Sequence, residues 1–199
     1  GSPDQGINAL DAQIQLFVNA STYRQQMTLT NRMHGVILDG GYKPNIIPSY
    51  TSSEWYLRSL NSEGLKKLEE DFLNFVNAAA ISTKCRSDVT VPDYQYAEIL
   101  NNKTMYELFM ENCEEIGREM PLQDPSQPGL GSTDMGNISF AMPSIHPMLA
   151  IDSGSAVNHQ PEYAAATIKS GGHKAIFDGA YGMGTTIIDL AENNLWDKL

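Results

Sequence analysis

Ile7, Leu10, Ile14, Phe17 and Val18 recur at steps of three and four, which places one apolar stripe on a helix running from about Asn8 to Met27. The rhythm then changes to extended runs. Met33 to Leu38 is the first, broken by Asp39-Gly40-Gly41, residues that tolerate positive φ. After Pro44 the stretch Ile46 to Leu60 carries the β-formers Ile46, Ile47, Tyr50, Thr51, Trp55 and Tyr56 and reads as a second strand. These two runs are expected to pair antiparallel.

Leu65, Leu68, Phe72, Phe75, Val76 and Ala79 mark a second amphipathic helix entered after Asn61-Ser62. Asp88 to Tyr96 is short and β-rich, with Pro92 suggesting an edge strand or a bulge. Met105, Leu108, Phe109, Cys113 and Ile116 give a third helix. Pro121 to Gly129 holds three prolines and reads as loop. Beyond it, Gly131 to Asn137 reads as a tight polar loop, Ile138 to Ile151 as an irregular apolar stretch, and Ser153 to Gln160 as loop again. Ala175 to Leu195 is apolar on one side and contains Gly179, Gly182 and Gly184. Each such glycine costs about 1 kcal/mol against alanine in a helix, so close packing against another backbone is expected there.

Composition narrows the function classes. With 41% hydrophobic and 19% charged residues over 199 positions, the chain is globular. No apolar run approaches the roughly 20 residues that span a bilayer. Its 24 Asp and Glu outweigh 13 Lys and Arg, a net charge of -11 that repels phosphate backbones and anionic lipid. Neither a nucleic-acid nor a membrane partner is expected. Cys85 and Cys113 fit no metal or redox spacing and read as buried thiols of a reducing, cytoplasmic compartment. Asn19, Asn102 and Asn137 each open an Asn-x-Ser/Thr triplet, which matters only in a secreted chain. Gly1-Ser2 reads as a cloning remnant.

The chemistry-bearing residues are scattered. His34, His146, His159 and His173 form no His-x-x-x-His pair, so no complete zinc site is legible. Glu69-Glu70 and Glu114-Glu115 fall on amphipathic helices and read as solvated acidic faces. The Gly-x-Ser-x-Gly, phosphate-loop and dinucleotide patterns are absent, and Gly129-Leu130-Gly131 lacks the further glycine of a phosphate cradle. On residues alone the chain is an acidic α/β domain.

Longer motifs add to this. Asn8-Ala9-Leu10-Asp11-Ala12, His34-Gly35-Val36-Ile37 with Gly40-Gly41, and Pro44-Asn45-Ile46-Ile47-Pro48 follow one another in order. Gly131-Ser132-Thr133-Asp134-Met135-Gly136-Asn137, Pro143-Ser144-Ile145-His146-Pro147 and Asn158-His159 with Glu162-Tyr163 complete the series. Together they resemble the zinc-dependent aminoacylase and carboxypeptidase family (metallopeptidase family 20), in its amidohydrolase branch. The resemblance implies a two-zinc catalytic domain into which a smaller, ferredoxin-like lid is inserted. That lid is a four-stranded antiparallel sheet with two helices on one face, and it usually forms homodimers. Residues 1–117 match the lid without its first strand, and residues 118–199 match the closing third of the catalytic domain.

The same resemblance implies site roles. Asn45 and Arg58, 13 residues apart, correspond to a pair that contacts the substrate's carbonyl and its C-terminal carboxylate. A guanidinium suits a carboxylate bidentately, and an asparagine amide can donate to a carbonyl as negative charge develops. Without the resemblance, Asn45 reads as a turn residue and Arg58 as a solvated strand-end charge. His159 corresponds to the last zinc ligand, Gly131 and Ser132 to the loop lining the substrate pocket, and His34 and His146 to packed or supporting positions. Asp134 fits the same loop without a defined role.

The family's other ligands are a His-x-Asp pair, a bridging Asp, a Glu-Glu pair holding the general base, and one further ligand. They precede the lid, as does the histidine of an Ala-His-Ala-Ala element expected just before Pro3. The zinc site of this chain is therefore expected to be incomplete, and the chain alone inactive. The implied function is a share in a zinc metallo-dipeptidase acting on β-alanyl or γ-aminobutyryl dipeptides of lysine, ornithine or arginine. The alternatives are an N-acyl-amino-acid amidohydrolase, or a non-catalytic fragment serving dimerisation or partner binding.

Overall fold

Asn8 caps the first helix through its side-chain oxygen, which accepts from the Leu10 N–H at 3.0 Å. Such a cap is worth about 1 kcal/mol. The computed structural model describes residues 1–122 and 131–199, so most of the Pro121–Gly129 loop lies outside the described residues. The elements in order are α1 (Ala9–Tyr23), β1 (Arg32–Asp39), β2 (Ser52–Arg58), α2 (Ser62–Thr83), α3 (Lys103–Glu115), α4 (Met135–Ala141), α5 (Pro161–Thr167) and α6 (Ser170–Glu192). The class is mixed α and β, with a two-stranded antiparallel sheet among the described residues. None of the described helices is long and apolar enough to cross a membrane.

The chain divides into two compact units. One holds Gly1–Gln95, the other the segment from Tyr96 on together with Ser132–Leu199. The helix expected at 105–116 belongs to the second of these units.

In the first unit α1 and α2 cover one face of the β1–β2 hairpin. Leu16, Ala20, Met33, Leu68, Phe72, Val76 and Ala79 form the core, with Trp55, Leu57 and Phe75 packed against it. Trp55 lies between Phe17 and Phe72, with ring centroids 4.4 and 5.0 Å away. Gly35 faces this indole across the register, and a Cβ there would sit 2.6 Å from the ring. Asn61 caps α2 by accepting from Gly64 N–H at 2.9 Å. A short helical turn at Arg24–Gln26 extends α1 toward Met27 as the periodicity predicts.

Two strand expectations need correction. The second strand starts at Ser52, and residues 46–51 belong to the connecting loop. Pro44 and Pro48 have no N–H to give a ladder, and the loop is tied instead to the start of α1. Ala9 N–H donates to Pro48 O at 3.0 Å, and Thr51 Oγ1 donates to Ala9 O at 3.0 Å. The run Asp88–Tyr96 forms no strand. Val89, Val91, Tyr94 and Tyr96 are exposed, Pro92 interrupts the run, and it pairs with no described strand. Among the described residues two strands therefore stand where three were expected.

In the second unit α3 and α6 pack through Phe109, Cys113 and Leu190, all at most 2% exposed. Gly182 permits this approach, since a Cβ there would lie 2.8 Å from both Cys113 Sγ and a Phe109 ring carbon. The expected packing of Gly179, Gly182 and Gly184 against another backbone is not found: Gly179 and Gly182 meet side chains, nothing lies within 4 Å of a Cβ at Gly184, and it is Gly172 that meets a backbone, that of Thr167. Asp178, with its side chain 9% exposed, accepts from Arg118 Nη2 at 2.7 Å and Lys174 Nζ at 2.6 Å. The Lys174 hydrogen bond, helped by Arg118, holds the Asp178 carboxyl below the usual carboxylate range against the opposing effect of burial.

The stretch expected as a polar loop at 131–137 is a correction as well: Met135 onward is helical. The three Asn-x-Ser/Thr asparagines all do structural work. Asn19 donates to Phe75 O, Asn102 caps α3 while donating to Leu199 O, and Asn137 accepts from Ala97 N–H.

Candidate functional site

Strand β2 alternates strictly. Ser53, Trp55 and Leu57 are half-buried toward the helices, while Glu54, Tyr56 and Arg58 are exposed on the other face. The antiparallel register sets Arg58 opposite Arg32, Tyr56 opposite His34, and Glu54 opposite Val36. Six side chains therefore share the hairpin face away from the helices. Tyr56 is 62% and Val36 54% exposed.

One end of this face is cationic. Two arginines directly opposite each other ordinarily destabilise a strand pair. Arg32 relieves part of that repulsion by turning its Nη1 to the backbone, donating to Asn31 O at 2.7 Å and to Leu29 O. Arg58 stands exposed, with His34 one register step along. A concentration of positive charge in a chain of net charge -11 suits a small anion such as a carboxylate.

Asn45 lies elsewhere. Its loop bounds a cleft of about 410 Å³ lined by Asn8, Leu10, Gly41, Lys43, Pro44 and Pro48. That loop leaves the hairpin at the Asp39–Ser52 end, while Arg58 sits at the other. Six residues of strand separate the two ends by about 20 Å. An extended dipeptide is roughly 10 Å long, so within one chain it cannot reach from the hairpin's loop end to Arg58. The structure does not bring Asn45 and Arg58 together.

The other expected residues are dispersed. Gly131 and Ser132 are exposed in the chain leading into α4. Asp134 sits at the start of α4 without capping it through its side chain. His146 is exposed, its backbone N–H donating to Asn101 Oδ1 at 3.4 Å. His34 is exposed on the hairpin face.

His159 is exposed in the loop before α5 and has φ of 70°, a left-handed conformation that L side chains disfavour by about 1–2 kcal/mol. Lys84 and Asn194 also have positive φ, just past the ends of α2 and α6, so the angle alone does not mark a site. His159→Gly is expected to raise the stability of the second unit by about 0.5–1 kcal/mol, once the extra unfolded-state freedom of glycine is subtracted. Urea titration of the variant checks this, and a loss of stability would mean that the imidazole holds the loop.

Among the described residues no group of three or more His, Cys, Asp or Glu is placed to hold a metal ion. His159 alone does not make a zinc site, which takes at least three protein ligands. The described residues do not by themselves form the two-zinc centre that the resemblance implies.

Glu54, Tyr56 and Arg32, which no motif singles out, share the hairpin face of Arg58. The signal was present in Glu54-Trp55-Tyr56-Leu57-Arg58, where apolar core residues alternate with polar ones.

No protein-family model matches the chain. It is similar to a Mus musculus protein named Xaa-Arg dipeptidase, with 40% identity over 165 residues. The match takes in 82% of this chain and 38% of that protein. A Homo sapiens protein of the same name matches with the same identity and coverage. The chain thus spans well under half the length of the curated relatives it matches.

Proposed function

We propose that this chain supplies the substrate-binding hairpin of a dipeptidase that acts on dipeptides ending in a basic residue, with Arg58 as the anchor for the free C-terminal carboxylate. What carries the reading is the 40% identity to proteins named Xaa-Arg dipeptidase, taken with an exposed arginine at the cationic end of the hairpin. Residues 1–117 act in this reading as a lid and residues 118–199 as a closing part of a catalytic domain, with homodimerisation through the lid. His159 is its proposed metal ligand; Gly131 and Ser132 line the pocket. Zinc belongs to the proposal only as the group the resemblance calls for, because the described residues supply no set of ligands for it.

Arg58 contributes binding and orientation. A guanidinium offers five N–H donors in a fixed fork, enough to hold a carboxylate through two of them while others serve another partner. Fixing the carboxylate fixes the C-terminal end of the peptide along the strand. Asn45, at the far end of the hairpin, has no part in that contact within one chain.

Titration of the chain with β-alanyl-arginine, followed by heteronuclear NMR, tests the proposal. Arg58→Ala is expected to weaken binding 10-fold or more, and capping the ligand's carboxylate as an amide should weaken it comparably. Asn45→Ala should change the affinity less than threefold. An Arg58→Ala affinity within twofold of the parent overturns the anchor role.

A further inference from the structure

We infer that Glu54 is the residue that selects a basic side chain at the substrate's C-terminal position, an inference that rests on the proposed carboxylate role of Arg58. The alternation of β2 puts Glu54, Tyr56 and Arg58 on one face, with the helix-packed residues on the other. That face is bipolar along the strand. Arg58 and Arg32 make one end positive, and Glu54 makes the other negative.

The distances fit one amino-acid residue. Four residues of strand set the Glu54 and Arg58 backbones about 13 Å apart. In an extended arginine the α-carboxylate and the guanidinium are about 7 Å apart by bond lengths. An ion pair at each end adds about 3 Å. A lysine or ornithine side chain is shorter, and the Glu54 side chain has the reach to follow it. A neutral or acidic side chain would leave Glu54 unmatched or repelled.

The ground between the two charges is suitable. Tyr56 lies midway and exposed, presenting an aromatic body against which the aliphatic stem of a basic side chain can lie. Val36, opposite Glu54, adds an apolar flank. No ion pair engages Glu54 among the described residues, so its charge is not already neutralised by a lysine or arginine of the chain. The occupant is therefore an amino-acid residue with a free carboxylate at one end and a cation at the other. It lies along β2 with its side chain toward the loop.

The test compares three ligands on the full chain by NMR titration: β-alanyl-arginine, β-alanyl-norleucine and β-alanyl-glutamate. An exposed charge pair is a modest contact, so Glu54→Gln is expected to weaken β-alanyl-arginine about fivefold and to leave β-alanyl-norleucine within 1.5-fold. Glu54→Lys is expected to reverse the order, with β-alanyl-glutamate binding more tightly than β-alanyl-arginine. An arginine-to-norleucine affinity ratio unchanged by both substitutions overturns the inference. If Arg58→Ala still weakens all three ligands alike in that case, the carboxylate anchor survives without it. If wild-type chain binds none of the three, the anchor and the selector fall together.

Discussion

Phe109→Ala is expected to lower the stability of the second unit by about 3–5 kcal/mol. Phe109 is 2% exposed and lies on Gly182 of α6 and beside Cys113, which is wholly buried. Removing the ring leaves a void that helices α3 and α6 cannot close without moving as rigid bodies. A domain of this size has only about 5–15 kcal/mol in total, so the loss takes a large share of it. The effect should be read by calorimetry, as a lowered transition for the unit that holds α3 and α6.

Two companions separate cavity from chemistry. Phe109→Leu keeps most of the volume and should cost less than about 1.5 kcal/mol. Adding Gly182→Ala to Phe109→Ala should recover part of the loss, because the new methyl group would enter the space the ring vacated. A Phe109→Ala protein with the parent's transition would mean that this core is not where the unit's stability lies.

Gly136→Ala is the second large effect, and its origin is backbone rather than side chain. A Cβ on Gly136 would fall 1.9 Å from Ala97 O and 2.7 Å from the Ala97 carbonyl carbon, a contact that no rotamer change relieves. Helix α4 would have to lift from the segment that precedes α3. That segment is fastened to α4 at further points: Leu100 N–H donates to Ser139 Oγ at 2.9 Å, and Ala97 N–H donates to Asn137 Oδ1 at 3.3 Å. Overpacking of this kind costs about 1–3 kcal/mol and here strains one half-buried and one exposed hydrogen bond besides. Alanine's better helix propensity returns about 1 kcal/mol, so the net loss should be about 2–3 kcal/mol. Urea denaturation measures it. Since α4 follows directly from Gly131 and Ser132, NMR shifts at those two residues should accompany the loss. An alanine variant as stable as the parent would mean that α4 is not seated on Ala97.

The long amphipathic elements were legible because each has a full apolar stripe. Leu68, Phe72, Val76 and Ala79 place α2 on the hairpin, and Asn61 announces its start. What escaped was held by contacts rather than pattern. Asp134-Met135-Gly136-Asn137 looks like a turn because its residues favour turns, yet seven residues wind into α4 once Gly136 can approach Ala97. Helix α5 carried a readable mark, Pro161 at its first turn, beside the expected motif residues. At Ile46–Thr51 the β-forming side chains lost to two prolines and to the bonds made with α1.

The candidate site divided the same way. Arg58 on an exposed face follows from alternation in the sequence. The spacing of 13 between Asn45 and Arg58 does not by itself say how far apart they lie, because a hairpin's register, not a residue count, decides which side chains meet. The strain at His159 lies in a backbone angle and leaves no trace in composition.

The two cysteines fall one in each unit, and they differ in access. Cys85 is half-buried at the end of α2, its thiol near Asn8 O at 3.5 Å. Cys113 is sealed between α3 and α6, where burial also pushes its thiol pKa up. Only the thiolate reacts, so an alkylating reagent meets Cys85 through small excursions and Cys113 only when the second unit opens. Without any substitution, the chain carries a clock in each half. Timed alkylation followed by mass spectrometry would report which half breathes first, and how often.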